Sequence, residues 1–445
     1  VDSVLILLKY AGLLIGGLSI LIIVHELGHF LPAKWFGMRV EKFYLFFDWP
    51  RKLWSIRIKD TEYGIGILPL GGYVKISGII DESMDTEHLN REPQPWEFRA
   101  KPVWQRIIVM IGGVTMNVLL AILIYSGLIY SHGEKRTPMT ALRYGIDVPK
   151  GSLAEEMGFE TSDQILLFNG KPVRYLEEIN TPKIFLESKT EFTVLRGGDT
   201  VTITVQANFL DRLYGEEKEM LFLPDWEPVV LVLKGSPAEK AGMKDGDRIL
   251  QIDSFPVTTF GTIRKVLQKT KAPEIQLVVE RNGNILSFVA RLDSSRKLGI
   301  YPDYHNLPQE TVQYTLLQSV GKGTAMAFGI LTLNLKGFAK IVSGEADFSR
   351  NLAGPVRISK MIYEQVNMAG WYGFWNIVAA LSMILAFMNL LPIPALDGGH
   401  LLFLVVEWII GREVSPQVRM IAQQIGMILL LLLFVYIIFN DIIHF

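Results

Sequence analysis

Apolar residues in this chain are segregated rather than evenly spread. Tyr10 to Val24 carries no charge and runs into His25-Glu26-Leu27-Gly28-His29. Val103 to Tyr130 holds one charge, Arg106, near its start. Trp371 to Leu396 holds none, and Val418 to Asn440 only Arg419. Crossing a hydrocarbon core of roughly 30 Å takes about 20 helical residues. The pattern therefore predicts four transmembrane helices, at 1–32, 102–131, 371–397 and 418–440. The first stretch is too long for a signal peptide and lacks a small-residue cleavage site. Tyr125, Tyr130, Trp371, Trp375 and Trp408 are candidate interfacial anchors.

The segments between the spans set an orientation. The loop 33–101 carries eleven Lys or Arg from Lys34 to Lys101, and only Lys9 precedes it. The positive-inside rule then places this loop, and the loop 398–417, in the cytoplasm. The N-terminus, the C-terminus and the large insert fall outside. Thr324 to Val342 is ambiguous. Lys336 and Lys340 share one face and Asn334 interrupts it, which predicts an interfacial amphipathic helix within 304–370.

The insert contains a repeat. Residues 151–173 align without a gap to 235–257 at an offset of 84, with ten of 23 positions identical. Each copy reads as turn, short helix, turn, strand and tight turn. Ser152 or Ser236 caps the helix, and Gly158 or Gly242 ends it. Asn169-Gly170 is a hairpin signal. The shared pattern, Gly-Ser-x-Ala through Gly-Asp-x-Ile-Leu, resembles the PDZ domains of bacterial envelope proteases and implies two of them, at 132–220 and 221–303. PDZ domains bind chain ends by strand addition. Tyr144-Gly145-Ile146 is the candidate carboxylate nest of the first copy. The second has Pro228-Val229-Val230 there, so inert spacers or steric filters are the alternative reading.

Composition narrows the chemistry. With 44 Lys plus Arg against 45 Asp plus Glu, the net charge is −1, which excludes a strongly basic nucleic-acid binder. There is no cysteine, so disulfides, thiolate metal sites and Cys nucleophiles are excluded. Any metal is held by His, Asp or Glu.

The sharpest motif is His25-Glu26-Leu27-Gly28-His29. Residues i and i+4 lie about 40° apart around a helix, so both imidazoles face one Zn²⁺, with Glu26 within reach of its water. Two His and a Glu at the end of an apolar helix are costly in lipid, which marks them as functional. A third ligand is needed. His88, His132, His305, His400 and His444 are available, but the best candidate is Asp397 in Asn389-Leu-Leu-Pro392-Ile-Pro394-Ala-Leu-Asp397-Gly398-Gly399-His400. Pro392 and Pro394 break the third span, and two glycines let the backbone turn beside the carboxylate. A helix N-cap is the other role for Asp397. Counting spans puts Asp397 on the same side as His25 and His29. Glu62 to Gly78 is apolar and Gly-rich and reads as a β-hairpin. Its residues Ile65, Gly66, Ile67 and Leu68 are candidates to pair with an unwound substrate.

The combination of HExxH in a first span, a distant Asn-x-x-Pro-x-Pro-x-Leu-Asp-Gly-Gly and two PDZ-like repeats resembles the site-2 protease family, in its bacterial sigma-E-regulating branch. The resemblance covers nearly the whole chain. It implies an α-helical polytopic inner-membrane protein with four transmembrane helices and a membrane-associated β-hairpin, plus two tandem α+β PDZ domains. It implies a zinc endopeptidase with His25, His29 and Asp397 as ligands, Glu26 as acid and base, and Asn389 contacting the substrate backbone. The implied substrates are single-span membrane proteins: an anti-sigma factor already trimmed outside, and signal-peptide remnants. The topology places the active site near the cytoplasmic side and the PDZ pair on the opposite side, which predicts that the pair filters substrates by size. In the second span, Gly112 and Asn117 fit the family, whereas Val114 stands where many relatives carry Pro. An inactive PDZ adaptor for envelope peptides and a metal transporter are the competing readings.

Overall fold

The computed structural model describes residues 2–69, 71–79, 92–180, 190–205, 222–293, 296–343 and 354–443. Leu70, His88 and His444 lie outside them. The chain forms two compact units, Val1–Gly133 with Gln313–Phe445, and Glu134–Val312.

Among its described residues the first unit holds six α-helices: α1 (Asp2–Trp35), α2 (Val103–His132), α3 (Leu316–Ser343), α4 (Pro355–Leu390), α5 (Asp397–Ile410) and α6 (Pro416–Ile443). Among the described residues, α1, α2, α4 and α6 are long and apolar enough to cross a membrane. The four expected spans are therefore present, with different limits for the third. It begins at Pro355 rather than Trp371, because Arg357, Lys360 and Glu364 interrupt the apolar pattern without interrupting the helix. A kink at Gly370 (φ 59°) joins its halves. It ends at Leu390, since Pro392 and Pro394 cannot continue it.

Leu21, Ala121, Tyr125, Ile362, Phe374, Val378 and Met383 form the core between α1, α2 and α4. Ala327 of α3 is fully buried in the same core. A side chain at Gly323 would overlap Ser126 of α2. The helix expected at the interface, rather than across the membrane, packs along α2, because two small residues open one of its faces. The expected segment 304–370 is not one region: 304–312 belongs to the other unit, and 355–370 to α4.

Between α1 and α2 lies a four-stranded sheet of β1 (Val40–Leu45), β2 (Phe47–Ile58), β3 (Thr61–Leu68) and β4 (Tyr73–Ile76), in the order β2-β3-β1-β4. The hairpin expected at 62–78 does not fold on itself. β3 pairs with β2 antiparallel and with β1 parallel, while β4 pairs with β1. β1 takes the central place because Val40 and Tyr44 are fully buried. Gly71-Gly72 carries the chain across it; a side chain at Gly72 would run into Ile22 of α1. The β2–β3 ribbon leaves Trp49, Leu53, Trp54, Ile56, Ile58 and Ile67 exposed.

The second unit holds the repeat. Its first copy runs β5 (Ile146–Asp147), a helical turn at Leu153–Glu156, β6 (Gln164–Phe168), β7 (Thr190–Arg196), β8 (Asp199–Val205) and β9 (Leu223–Pro224). Its second runs β10 (Val229–Val232), a turn at Pro237–Ala241, β11 (Asp247–Ile252), a helix at Phe260–Lys269, β12 (Glu274–Arg281), β13 (Asn284–Arg291) and β14 (Ile300–Pro302). Both copies pair their elements alike: β6 with β7 and β7 with β8, as β11 with β12 and β12 with β13. Ser152 and Ser236 cap their helices as expected, each accepting from a backbone N–H three residues on at 3.2 Å. Each copy also buries an Asp against an Arg of its hairpin, Asp163–Arg196 and Asp247–Arg281, both at 2.6 Å. β9 closes onto β5 as β14 closes onto β10, so the first copy extends to Pro224, past the expected limit of 220.

Candidate metal centre

The centre begins with the approach of α1 to α2. Gly28 and Gly112 face each other, and a Cβ on either would overlap the carbonyl of the other. Gly113 offers no side chain either; its Cβ would stand 2.5 Å from His29 Nε2. Small residues at such a crossing let helix backbones touch. The two imidazoles fill the space that this contact leaves.

Both rings are fixed from behind. His29 Nδ1 lies 2.8 Å from the Val109 carbonyl and donates to it. His25 Nδ1 lies 3.1 Å from the side-chain amide of Asn117, which is fully buried in the middle of α2. The structure sets Asn117 Nδ2 against this nitrogen and leaves Oδ1 without a partner among the described residues; with the amide turned over, Oδ1 accepts the His25 Nδ1 proton. Each ring then turns a lone pair on Nε2 inward, the arrangement in which the outer nitrogen of a metal-ligating histidine is held by a hydrogen bond.

Asp397 completes the group from the far end of α4. After Leu390 the chain turns through residues 391–396, with Ala395 left-handed at φ 75°. α5 starts at Asp397, with Leu396 as its N-cap and no side-chain cap bond. Asp397 is thus not the N-cap. Gly398 and Gly399 serve close approach rather than turning: a Cβ on either would overlap carbonyls of residues 390–393.

Asp397 Oδ2 lies 3.1 Å from His25 Nε2 and 3.2 Å from His29 Nε2, and the two nitrogens are 3.2 Å apart. Ligands at about 2.0–2.1 Å in tetrahedral directions stand roughly 3.3 Å from one another. Three donor atoms at this spacing can hold a cation, and the donor set is consistent with Zn²⁺. Among the described residues this is the group of His, Asp and Glu that can hold a metal. His132 packs instead on Tyr372, with ring centroids 5.1 Å apart.

The group lines a cleft of about 810 Å³, together with Glu26, Asn389 and His400. Glu26 is buried beside the histidines. Asn389 Nδ2 reaches 3.4 Å from His25 Nε2. Of the four sheet residues expected to meet substrate, Leu68 alone lines the cleft. Ile65, Gly66 and Ile67 sit in β3, whose pairing with β1 ends at Ile65. The strand that faces the cleft is β4, whose residues Tyr73 to Ile76 all line it. Sequence reading missed it because its partner, β1, lies some 30 residues upstream. The Asn117 support was legible in part, as a lone amide at the centre of an apolar span.

The expected carboxylate nest is not formed. The Gly145 N–H donates to Leu142 O and the Ile146 N–H to Asp163 O. Ile146 is fully buried in β5, which has neighbours on both sides. Those amides close the fold of the first copy and are not available to a ligand.

The model of peptidase family M50 matches residues 13–433. The chain belongs to peptidase family M50. It is 31% identical to the regulator of sigma E protease of Haemophilus influenzae, over 97% of this chain and 98% of that protein. It is 31% identical to the regulator of sigma-E protease RseP of Escherichia coli, over 95% of this chain and 96% of that protein. The RseP of Salmonella typhimurium matches at 30%, with the same coverage. Membership of the M50 peptidases and the His25–His29–Asp397 group together support a zinc metalloprotease.

Proposed function

We propose that this M50 peptidase is an intramembrane endopeptidase of the site-2 protease type, which cuts the transmembrane segments of single-span proteins. The observation that carries this reading is the place of the metal-capable group. It lies where α1, α2 and α4, three helices able to span a bilayer, converge on one cleft.

Bound zinc supplies Lewis-acid polarisation of the scissile carbonyl and acidifies water. His25, His29 and Asp397 would hold it. Glu26 takes the proton from the attacking water and delivers it to the leaving amine. Asn389 holds the substrate backbone beside His25. A transmembrane substrate must unwind to be cut, and its freed backbone groups need partners. β4 supplies them as a sheet edge along the cleft, having a strand neighbour on one side only among the described residues. The exposed apolar β2–β3 ribbon supports seating of the sheet in the bilayer.

The sigma-E regulators among the relatives support a trimmed anti-sigma factor as substrate, with signal-peptide remnants as a second class. The repeated fold of the second unit supports two PDZ domains, which act as a size filter on the outer face of the bacterial inner membrane. The active site then sits near the cytoplasmic side. The test is Glu26→Gln in purified protein with a single-span substrate. Zinc content is retained and cleavage is lost; continued cleavage overturns the assignment. A proline at Val74 in β4 cuts turnover with zinc retained, and unchanged turnover removes strand addition from the mechanism.

A further inference from the structure

A second cavity, of about 120 Å³, opens where α2 and α6 begin, and Arg99, Arg106, His400, Glu413, Arg419 and Gln423 line it. That is room for several water-sized groups rather than one. Arg106 and Gln423 are 4% and 5% exposed. Arg106 gives both terminal nitrogens to Glu407, at 2.5 and 3.1 Å, which leaves its Nε without a partner among the described residues. Gln423 Nε2, Arg419 Nε and Arg419 Nη2 are buried and likewise make no hydrogen bond there. Arg419 approaches Glu407 and Glu413 only to 3.6 and 3.8 Å.

These orphan groups are all donors, and unmet buried donors are costly. What they lack is a compact group with acceptors on every side. Pro416, at the first turn of α6, also lines the cavity, so the positive end of that helix faces it. Glu413, the acidic group in the wall, is 53% exposed on its side chain and free to turn outward to water.

We propose that this cavity binds a tetrahedral phosphate group. The donors line a cavity with room for a compact polyatomic anion, and guanidinium groups match phosphate geometry. The cavity sits at the ends of two membrane-spanning helices, the level of lipid headgroups, so an anionic phospholipid and free inorganic phosphate share the required chemistry. His400 and Ile79 line both this cavity and the catalytic cleft, so the ligand sits next door to the cleft.

The test follows thermal unfolding of the full chain in neutral detergent, because a ligand that binds the folded state raises Tm by mass action. Inorganic phosphate, short-chain phosphatidylglycerol and short-chain phosphatidylcholine are titrated separately, with potassium chloride as the ionic-strength control. Gln423→Leu removes one neutral donor without changing net charge, and Arg419→Gln removes a second. A saturable rise with phosphate, with the midpoint shifted roughly tenfold in Gln423→Leu, assigns a free oxyanion site. The same pattern with phosphatidylglycerol alone assigns a headgroup site. No rise above the chloride and phosphatidylcholine controls overturns the proposal. So does a rise with the same midpoint in the wild type and both variants.

Discussion

Gly28 and Gly112 each stand where the other's Cβ would be. This reciprocal contact brings α1 and α2 close enough for α2 to support both metal-facing imidazoles, His29 through the Val109 carbonyl and His25 through the Asn117 side chain. Gly28→Ala should force the helices apart, and overpacking of this kind costs about 1–3 kcal/mol. Zinc content per chain should fall together with Tm. Gly113→Ala presses on His29 Nε2 and His25 Cε1 directly, so it should lower zinc occupancy more than it lowers Tm. Metal analysis and thermal unfolding of both variants check this.

Asn117 acts through His25. With Oδ1 turned to the ring, its buried amide holds the Nδ1 proton and leaves the Nε2 lone pair facing the metal position beside Asp397. Its backbone carbonyl accepts from Ser382 at 2.8 Å, a bond that side-chain substitution leaves in place. Asn117→Leu should therefore keep the helix contact and lower zinc affinity roughly 10–100-fold, the usual cost of losing the group that orients a metal ligand. Competition with a chelator measures it. An unchanged affinity would show that the amide does not orient the ring.

The parts of the site legible in the sequence are those set by local periodicity. His25 and His29 share a face because they are four apart, and Asp397 stands out as the acid ending an uncharged run. What periodicity does not carry is long-range pairing. Nothing in Glu62 to Gly78 reveals that β1 slips between β3 and β4, since that order depends on burying Val40 and Tyr44. The same limit misplaced Tyr144-Gly145-Ile146 as a nest, because its amides are committed to Leu142 and Asp163. The charges of Arg357, Lys360 and Glu364 hid the first half of α4. In the repeat, by contrast, the serine caps could be read directly, because a cap needs only residues three apart.

Asp441, fully buried near the end of α6, caps α4, whose N-cap residue Gly354 lies 87 residues earlier. Its carboxylate accepts from the N–H groups of Gly354, Val356 and Arg357 at 3.0–3.1 Å, and it pairs with the Arg357 guanidinium at 3.3 Å. α4 has no cap of its own, since Gly354 offers no side chain. Asp441→Ala should cost at least the roughly 0.5–2 kcal/mol of a lost N-cap. Asp441→Asn keeps an acceptor and should cost less. The order Asp, Asn, Ala in Tm checks the assignment, and equal values for all three would refute it.

The second unit should carry a pH signature at the junction of its two copies. Asp225, 1% exposed, accepts from the Gly261 N–H at 2.8 Å and the Thr259 hydroxyl at 2.9 Å, which joins the end of the first copy to the helix at Phe260–Lys269 in the second. Burial pushes its carboxyl up to about 6, against the pull of those hydrogen bonds and with the Asp147 charge adding to the rise. An unfolded Asp titrates near about 3.9. Between these values the folded chain holds a proton that the unfolded chain has released. The stability contribution is therefore full below about 3.9 and is lost as pH rises through about 6. A rise of that size is worth about 3 kcal/mol at most. Asp225→Asn keeps an acceptor and removes the titration, so its Tm should fall less than that of the wild type between about pH 4 and pH 6.5. Parallel pH curves for the two proteins would mean that Asp225 does not carry the proton.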